Sequence, residues 1–220
     1  MRVVLPPELL PYSHLDAAGP ENVKIISTGS TVYLGFHLLP GQPKHNGCIR
    51  SEISIDYPCK FGDTIRYAWK WMAPKGFISD APENRWWVVA QWHDQPDKSR
   101  GETWDGFPSR SPPVLFGIGE ISNRLALGFE YGPKERTKKG PLWVEPGKWH
   151  SFAVEIRWSR KADGRVAVYL DDFSKPVFSA EGPNMNNEYQ HYFKIGMYRN
   201  PAIQTDNWVY VDDIRIEAVK

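Results

Sequence analysis

Helical periodicity is what this 220-residue sequence has least of. No segment sustains a 3.6-residue apolar repeat over three turns, and the best short-helix candidate is Pro7–Leu10. No run approaches the ~20 apolar residues of a membrane-spanning helix. The start, MRVVLPPELLP, does not read as a signal peptide. Its apolar run is broken by Pro6, Pro7 and Glu8, and no small-residue cleavage site follows. Either the protein stays inside the cell or a leader has been removed. An excess of one charge is missing too: 27 basic and 26 acidic residues leave a net charge of +1. That argues against a general nucleic-acid binder, while leaving room for a local basic cleft that takes a smaller polyanion.

Cysteine is scarce. Cys48 and Cys59 are too few for a disulfide scaffold. Residues 48 to 56 read as one strand, which at ~3.3 Å per residue puts Cys48 roughly 25 Å from the strand end. A disulfide needs Cα atoms within about 7 Å, so two free thiols are expected.

The sequence is rich in ten Trp, ten Tyr and ten Phe, with 18 Gly and 19 Pro. Many aromatics beside many turn formers suit an all-β chain. Strand-like runs fall near 23–27, 31–37, 47–56, 63–73, 85–93, 114–119, 124–131, 149–158, 165–171, 190–199 and 207–217, with Gly and Pro turn signals between them. The stretch 94–113 is a long polar loop, a length that often carries function. The run KERTKK (134–139) reads as a solvated loop. No internal repeat or linker divides the chain, so residues 1–220 read as one domain. About eleven strands without helices between them predict an antiparallel two-sheet sandwich or jelly roll.

Side chains alternate along a strand, so the runs can be sorted by face. In 48–56, Ile49, Ser51, Ile53 and Ile55 share one face; Cys48, Arg50, Glu52, Ser54 and Asp56 share the other. In 86–93, Trp87, Val89, Gln91 and His93 fall opposite Trp86, Val88, Ala90 and Trp92. In 192–198, Tyr192, Lys194, Gly196 and Tyr198 fall opposite Phe193, Ile195 and Met197. An ordinary solvent face is Thr, Lys, Glu and Ser. Side by side, these faces would instead make a groove floor of cations, amide, imidazole and phenol. Arg50 and Glu52 can pair along their strand, and Gly196 would let something approach the backbone closely.

The segments IRSEIS (49–54), VVAQWHD (88–94) and YFKIGMYRN (192–200) resemble, in order, the motif trio of the jelly-roll polysaccharide lyases. The heparin-lyase-I-like and glucuronan lyases are the nearest group, with the alginate lyases of the same fold related. VYVDDIRIE (209–217) resembles the closing strand of concanavalin-A-like jelly rolls. The resemblance implies a concanavalin-A-like sandwich and β-elimination on an acidic, uronate-containing polysaccharide, glucuronan first and then alginate or heparin-like chains. In that reaction the C5 proton leaves and the 4-linked oxygen is expelled. Preorganised donors must hold the carboxylate, a base must take the proton and an acid must protonate the leaving oxygen.

By resemblance, Arg50 and Gln91 neutralise the carboxylate, and Tyr198 is the catalytic phenol. His93 is a second neutraliser or the base. Tyr198 would suffice for glucuronate or mannuronate, whose C5 hydrogen and O4 lie on one side of the ring. Guluronate or iduronate would bring in His93. Lys194 and Arg199, near Tyr198 in sequence, could draw its pKa down. Substrate binding would involve Lys194, Arg199, Glu52 and His45, with Trp87 stacking a sugar ring. No cofactor is required for the chemistry. A structural calcium is implied on the face away from the cleft, with Asp212 in a ligand position, although Asp212 and Asp213 also read as a strand end. The resemblance further implies a secreted or periplasmic monomer whose leader is absent from this chain, acting without nucleic acid or membrane partners.

Two other readings compete. A carbohydrate-binding module or lectin on the same sandwich would explain the Trp content and the groove, but it would not need Gln91, His93 and Tyr198 together. A glycoside hydrolase needs two carboxyl groups flanking the scissile bond. The jelly-roll glucanases carry theirs as E-x-D-x-x-E, which EISIDY (52–57) does not match.

Overall fold

The computed structural model describes residues 5–219, so the apolar start Met1–Val4 lies outside the described residues. Fourteen strands follow one another in these residues: β1 (Ser13–Ala17), β2 (Val23–Thr28), β3 (Thr31–Leu38), β4 (Ile49–Ile55), β5 (Thr64–Met72), β6 (Trp87–His93), β7 (Val114–Ile121), β8 (Arg124–Tyr131), β9 (Thr137–Trp143), β10 (His150–Arg157), β11 (Arg165–Leu170), β12 (Phe178–Glu181), β13 (Tyr192–Arg199) and β14 (Asn207–Ala218). They form two seven-stranded sheets, ordered β1-β4-β13-β6-β7-β8-β9 and β12-β11-β10-β5-β14-β3-β2. The jelly-roll sandwich expected from the sequence is the fold observed.

Period-2 alternation builds the core between the sheets. In β5, Ile65, Tyr67, Trp69 and Trp71 turn inward and are buried, while Arg66, Lys70 and Met72 turn out. Trp69 stacks on Phe152 of β10 with centroids 5.6 Å apart, and Trp92 of β6 stacks on Phe193 of β13 at 4.8 Å. Such aromatic pairs contribute ~0.5–1.5 kcal/mol beyond their buried area. They also fix β6 and β13 with their other faces turned outward, where β13 lies between β4 and β6.

Three strands depart from the sequence reading: β1, β9 and β12. All three are sheet edges. The KERTKK run is therefore only partly loop, because Thr137–Lys139 open β9, with Lys138 and Lys139 exposed along it. Charge on an edge strand discourages pairing with other chains. Pro7–Leu10 extends to a 3₁₀ helix, Pro7–Tyr12, that buries Leu9. Segment 94–113 is a loop with one short 3₁₀ turn, Lys98–Arg100.

Gly196 serves the fold rather than a ligand. Its φ is +140°, and a Cβ there would lie 2.2 Å from the Ser51 carbonyl oxygen and 2.8 Å from the Glu52 Cα. What approaches this glycine is the neighbouring strand β4. Gly196→Ala is expected to cost at least ~2 kcal/mol, from the positive φ and the backbone clash together. Denaturant unfolding of the variant against wild type measures this.

Candidate active site

The outward face of β4, β13 and β6, with β1 and the loop 94–113 as walls, forms an open groove of about 1750 Å³. Small-molecule sites occupy ~300–1,000 Å³, so this one has room for several sugar rings. Seven lysines and arginines line it against three carboxylates, in a chain whose net charge is +1. Arg50, Gln91, His93, Lys194 and Tyr198 all line this one groove, as the sorted faces predict. Register brings them together: across β13, Tyr198 pairs with Arg50, Lys194 with Gln91 and Tyr192 with His93.

The centre of the floor is a charge network around Asp16 of β1. The Asp16 carboxylate accepts from Lys194 Nζ, from Arg50 Nη1 at 2.9 Å and from Asn46 Nδ2 at 3.3 Å. His45 Nε2 lies 3.0 Å from it. Burial alone would raise the Asp16 pKa, but Lys194 and then Arg50 outweigh it and hold the carboxyl below its usual range. Beneath lies Glu52, 1% exposed. Its Oε1 accepts from Gln91 Nε2 at 2.5 Å, and its Oε2 stands 3.7 Å from Arg50 and 3.9 Å from Lys194 with no hydrogen bond. Burial drives the Glu52 pKa up, and the two cations and Gln91 only partly offset it. Asp16 and Glu52 together raise the Arg50 pKa against the effect of burial.

Tyr198 stands at one end of this floor, its ring 4.7 Å from the Arg50 guanidinium carbon and its hydroxyl 3.3 Å from Cys48 Sγ. Its pKa is pushed up to about 12, by burial first and by Cys48 next, with Arg50 opposing. This reverses the expected lowering. Lys194 is spent on Asp16, and Arg199 points the other way. Both cysteines are free: Cys48 borders the groove, and Cys59 is buried, its thiol pushed up to about 12 by that burial.

At the other end, both His93 nitrogens face oxygens. Nδ1 lies 2.9 Å from the Asp94 carbonyl and 3.0 Å from its carboxylate, and Nε2 lies 3.0 Å from the Arg110 carbonyl. Asp94 is fully buried and also binds Arg110 at 2.5 Å and Asn186 at 2.9 Å, which ties the long loop down beside His93.

Three of the expected substrate contacts are withdrawn from solvent: Glu52 beneath the floor, and Trp87 and Arg199 packed against each other. The pairing of β6 shifts between Val88 and Ala90 against β7, and its pairing with β13 shifts between Ile195 and Tyr198. Strict alternation is therefore lost above Gln91. Val88 lines the groove; Trp87 borders it with only 3% of its surface exposed and packs 5.3 Å from Phe77 and 5.3 Å from the Arg199 guanidinium. Arg199 is fully buried and donates to Asn207 Oδ1 at 2.7 Å and to the Thr205 carbonyl at 2.7 Å, fastening the turn between β13 and β14. The exposed indoles at the groove are Trp86, 45% exposed and 4.7 Å from the Tyr198 ring, and Trp104 of the loop, 57% exposed. The sequence reading also passed over Asp16 and Arg110. Both lie outside the three motif strands, and only the pairing of β1 with β4 and the Asp94 anchor bring them in.

Asp212 and Asp213 fall within β14, at a register shift against β5, and do not end the strand. Asp212 Oδ1 accepts the Asp213 amide, and the Asp213 carboxylate faces Lys70 and Arg215. Among the described residues no group of three or more His, Cys, Asp or Glu is placed so that it could hold a metal ion.

Trp87 and Trp86 should thus separate cleanly. Trp87→Ala is expected to cost ~3–5 kcal/mol of stability as a core truncation. Trp86→Ala should leave the melting temperature nearly unchanged and raise KM for a glycan that stacks on it. Thermal unfolding and steady-state kinetics on both variants measure the split.

The chain is similar in structure to the endo-β-1,4-glucuronan lyase from the fungus Trichoderma reesei, at 15% identity over 94% of this chain and 87% of that one, with a TM-score of 0.66. It is similar also to the alginate lyase vAL-1 from Chlorella virus, at 10% identity over 90% and 89% of the two chains, TM-score 0.59. The catalytic domain of a glycoside hydrolase family 131 protein from Coprinopsis cinerea shares the fold at 15% identity over 94% and 77%, TM-score 0.59. Likeness at these identities speaks to fold, which hosts more than one chemistry. A search of curated proteins returned no match. The sequence does match a family profile described as polysaccharide lyase over residues 14–215, from β1 into β14, and the chain belongs to that family.

Proposed function

We propose that this lyase cleaves a uronate polysaccharide by β-elimination, with glucuronan, the β-1,4-linked glucuronate polymer, as its substrate. The observation that carries this reading is the contrast between His93 and Tyr198. His93 has both ring nitrogens directed at fixed protein oxygens, which suits a group that anchors the groove wall and not a base. Tyr198 is the proton-transfer group left beside Arg50 on the floor. One residue can serve as both base and acid only if the C5 hydrogen and O4 lie on the same side of the sugar, as in glucuronate and mannuronate.

In the cycle that follows, a substrate carboxylate sits over Arg50, Gln91 and Lys194. The phenolate of Tyr198 takes the C5 proton, negative charge grows on the carboxylate, and the donors beneath stabilise it. The C4–O4 bond then breaks as the C4–C5 double bond forms. Tyr198 gives its proton to the departing O4, which restores the phenolate. Trp86 and Trp104 offer stacking surfaces towards the two ends of the groove. A hydrolase is disfavoured: the floor's carboxyl groups, Asp16 and Glu52, are 4% and 1% exposed, and their neighbours are the floor's cations.

The test is incubation with glucuronan, alginate and heparin while absorbance from unsaturated uronate ends is followed. Glucuronan should give the fastest rise. Binding without such a rise would favour the lectin reading. Tyr198→Phe should retain binding while kcat falls by ~10²–10⁴-fold. Because the free-enzyme phenol is pushed up to about 12, its base form is scarce at neutral pH and grows as pH rises. Hence kcat/KM should climb from pH 8 towards pH 10 without a plateau in that range. A plateau between pH 8 and 10 would assign the base to a group of lower pKa. Added salt should weaken oligomer binding, given the cationic lining.

A further inference from the structure

Glu52 has a place in the groove that the elimination chemistry does not use. Its carboxyl is enclosed on all sides by the first sheet. Arg50 comes from its own strand, Asp16 from β1, Lys194 with the phenols of Tyr192 and Tyr198 from β13, and Gln91 from β6. One oxygen accepts from Gln91; the other, Oε2, is buried without a hydrogen bond, 3.7 Å and 3.9 Å from the floor's two cations. Arg50 and Lys194 carry two positive charges, and Asp16 already balances one of them at hydrogen-bond distance. The floor can thus neutralise one more carboxylate within its reach.

We infer that Glu52 is a positioning residue that takes up a proton from solvent when the carboxylate of a bound uronate enters the floor. The inference rests on the proposed uronate substrate. Asp16 and Glu52 are the floor's two carboxyl groups, and Glu52 stands within 4 Å of both cations. A bound uronate brings a third anion to two cations, and the least solvated of the three is the one that must neutralise. That one is Glu52, since the substrate carboxylate faces the groove and Asp16 keeps its hydrogen bonds to Arg50 and Lys194. Proton and charge balance: one H⁺ from buffer adds to Oε2, and the substrate carboxylate replaces Glu52 as counter-charge to Arg50 and Lys194. Gln91 is released in the same step from a charge-assisted bond to a weaker one, which frees its amide to donate towards the substrate. The direction of the Glu52 pKa, already raised by burial, fits this role.

The experiment is calorimetric titration of a glucuronate oligomer into Tyr198→Phe, repeated between pH 5 and 8 in buffers of different ionisation enthalpy. The buffer dependence of the heat gives the protons taken up. A fraction rising to about one proton per bound oligomer is expected at the optimum pH. Tyr198→Phe with Glu52→Gln, which keeps the shape and removes the titration, should still bind the oligomer and lose that uptake. Uptake that persists in the double variant overturns the inference, as does binding without uptake at every pH tested. Should Glu52→Gln fail to fold, a carboxyl band of protonated Glu52 that appears in the infrared difference spectrum on oligomer binding to Tyr198→Phe decides instead, and its absence overturns the inference. If no uronate oligomer binds Tyr198→Phe at all, the substrate reading fails with it, an outcome distinct from binding without uptake.

Discussion

Burying a cation is costly unless a carboxylate is buried with it, and the first sheet buries two. The Lys194 and Arg50 side chains are 7% and 12% exposed. Asp16 meets both, and Asp16 stands on a five-residue strand near the start of the chain. Without β1 the two cations on β4 and β13 would share Glu52 alone, which hydrogen-bonds neither of them. The geometry presented to a sugar carboxylate therefore depends on an edge strand that contributes little to the hydrophobic core. His45 and Asn46, on the hairpin leading into β4, close the same carboxylate from above. The floor is built as a network in which each charge is held by at least one partner from another segment, and this is what gives it fixed positions.

The second constraint is parity. A strand in a sandwich must turn one face to the core and one to the groove, and β13 sets Tyr192, Lys194 and Tyr198 on the groove and buries Phe193, Ile195, Met197 and Arg199. β6 does not, because its pairing slips between Val88 and Ala90. An irregularity of this kind re-aims side chains next to a site. Here it puts Trp87 under the sheet as packing for Arg199 and leaves Trp86 over Tyr198. Arg199 in turn holds the turn that leads into β14. One slipped position thus decides which of two adjacent indoles can touch a ligand.

These particulars show what could be read from the sequence. The two-sheet fold, the central strands and the convergence of Arg50, Gln91, His93, Lys194 and Tyr198 were legible because central strands alternate strongly: both neighbours and one face are fixed by burial. The strands that escaped notice, β1, β9 and β12, are edges with one partner each. SHLDA, TKKGPLW and FSAE show little apolar alternation, because an edge is half solvated and carries charge for other reasons. Asp16 was missed with β1. The Trp87 error has a different origin: alternation was extended through a register shift that no residue in VVAQWHD announces, since valines tolerate either face.

Tyr198 shows why sequence proximity misleads about electrostatics. A cation lowers a neighbouring phenol's pKa only while its field is uncompensated and pointed at the phenol. Arg199 is on the opposite face of the sheet, buried, and Lys194 is paired with Asp16. Arg50 alone acts directly, and it too is shared with Asp16 and Glu52, so burial prevails and the phenol is held high. A high pKa has two opposite effects on a base. It makes the reactive form scarce, and it makes that form strong. A C5 hydrogen beside a carboxylate is so weakly acidic that strength is the greater need. A balanced floor serves the same end, because it stabilises the charge that grows on the substrate while leaving the basicity of the phenolate intact.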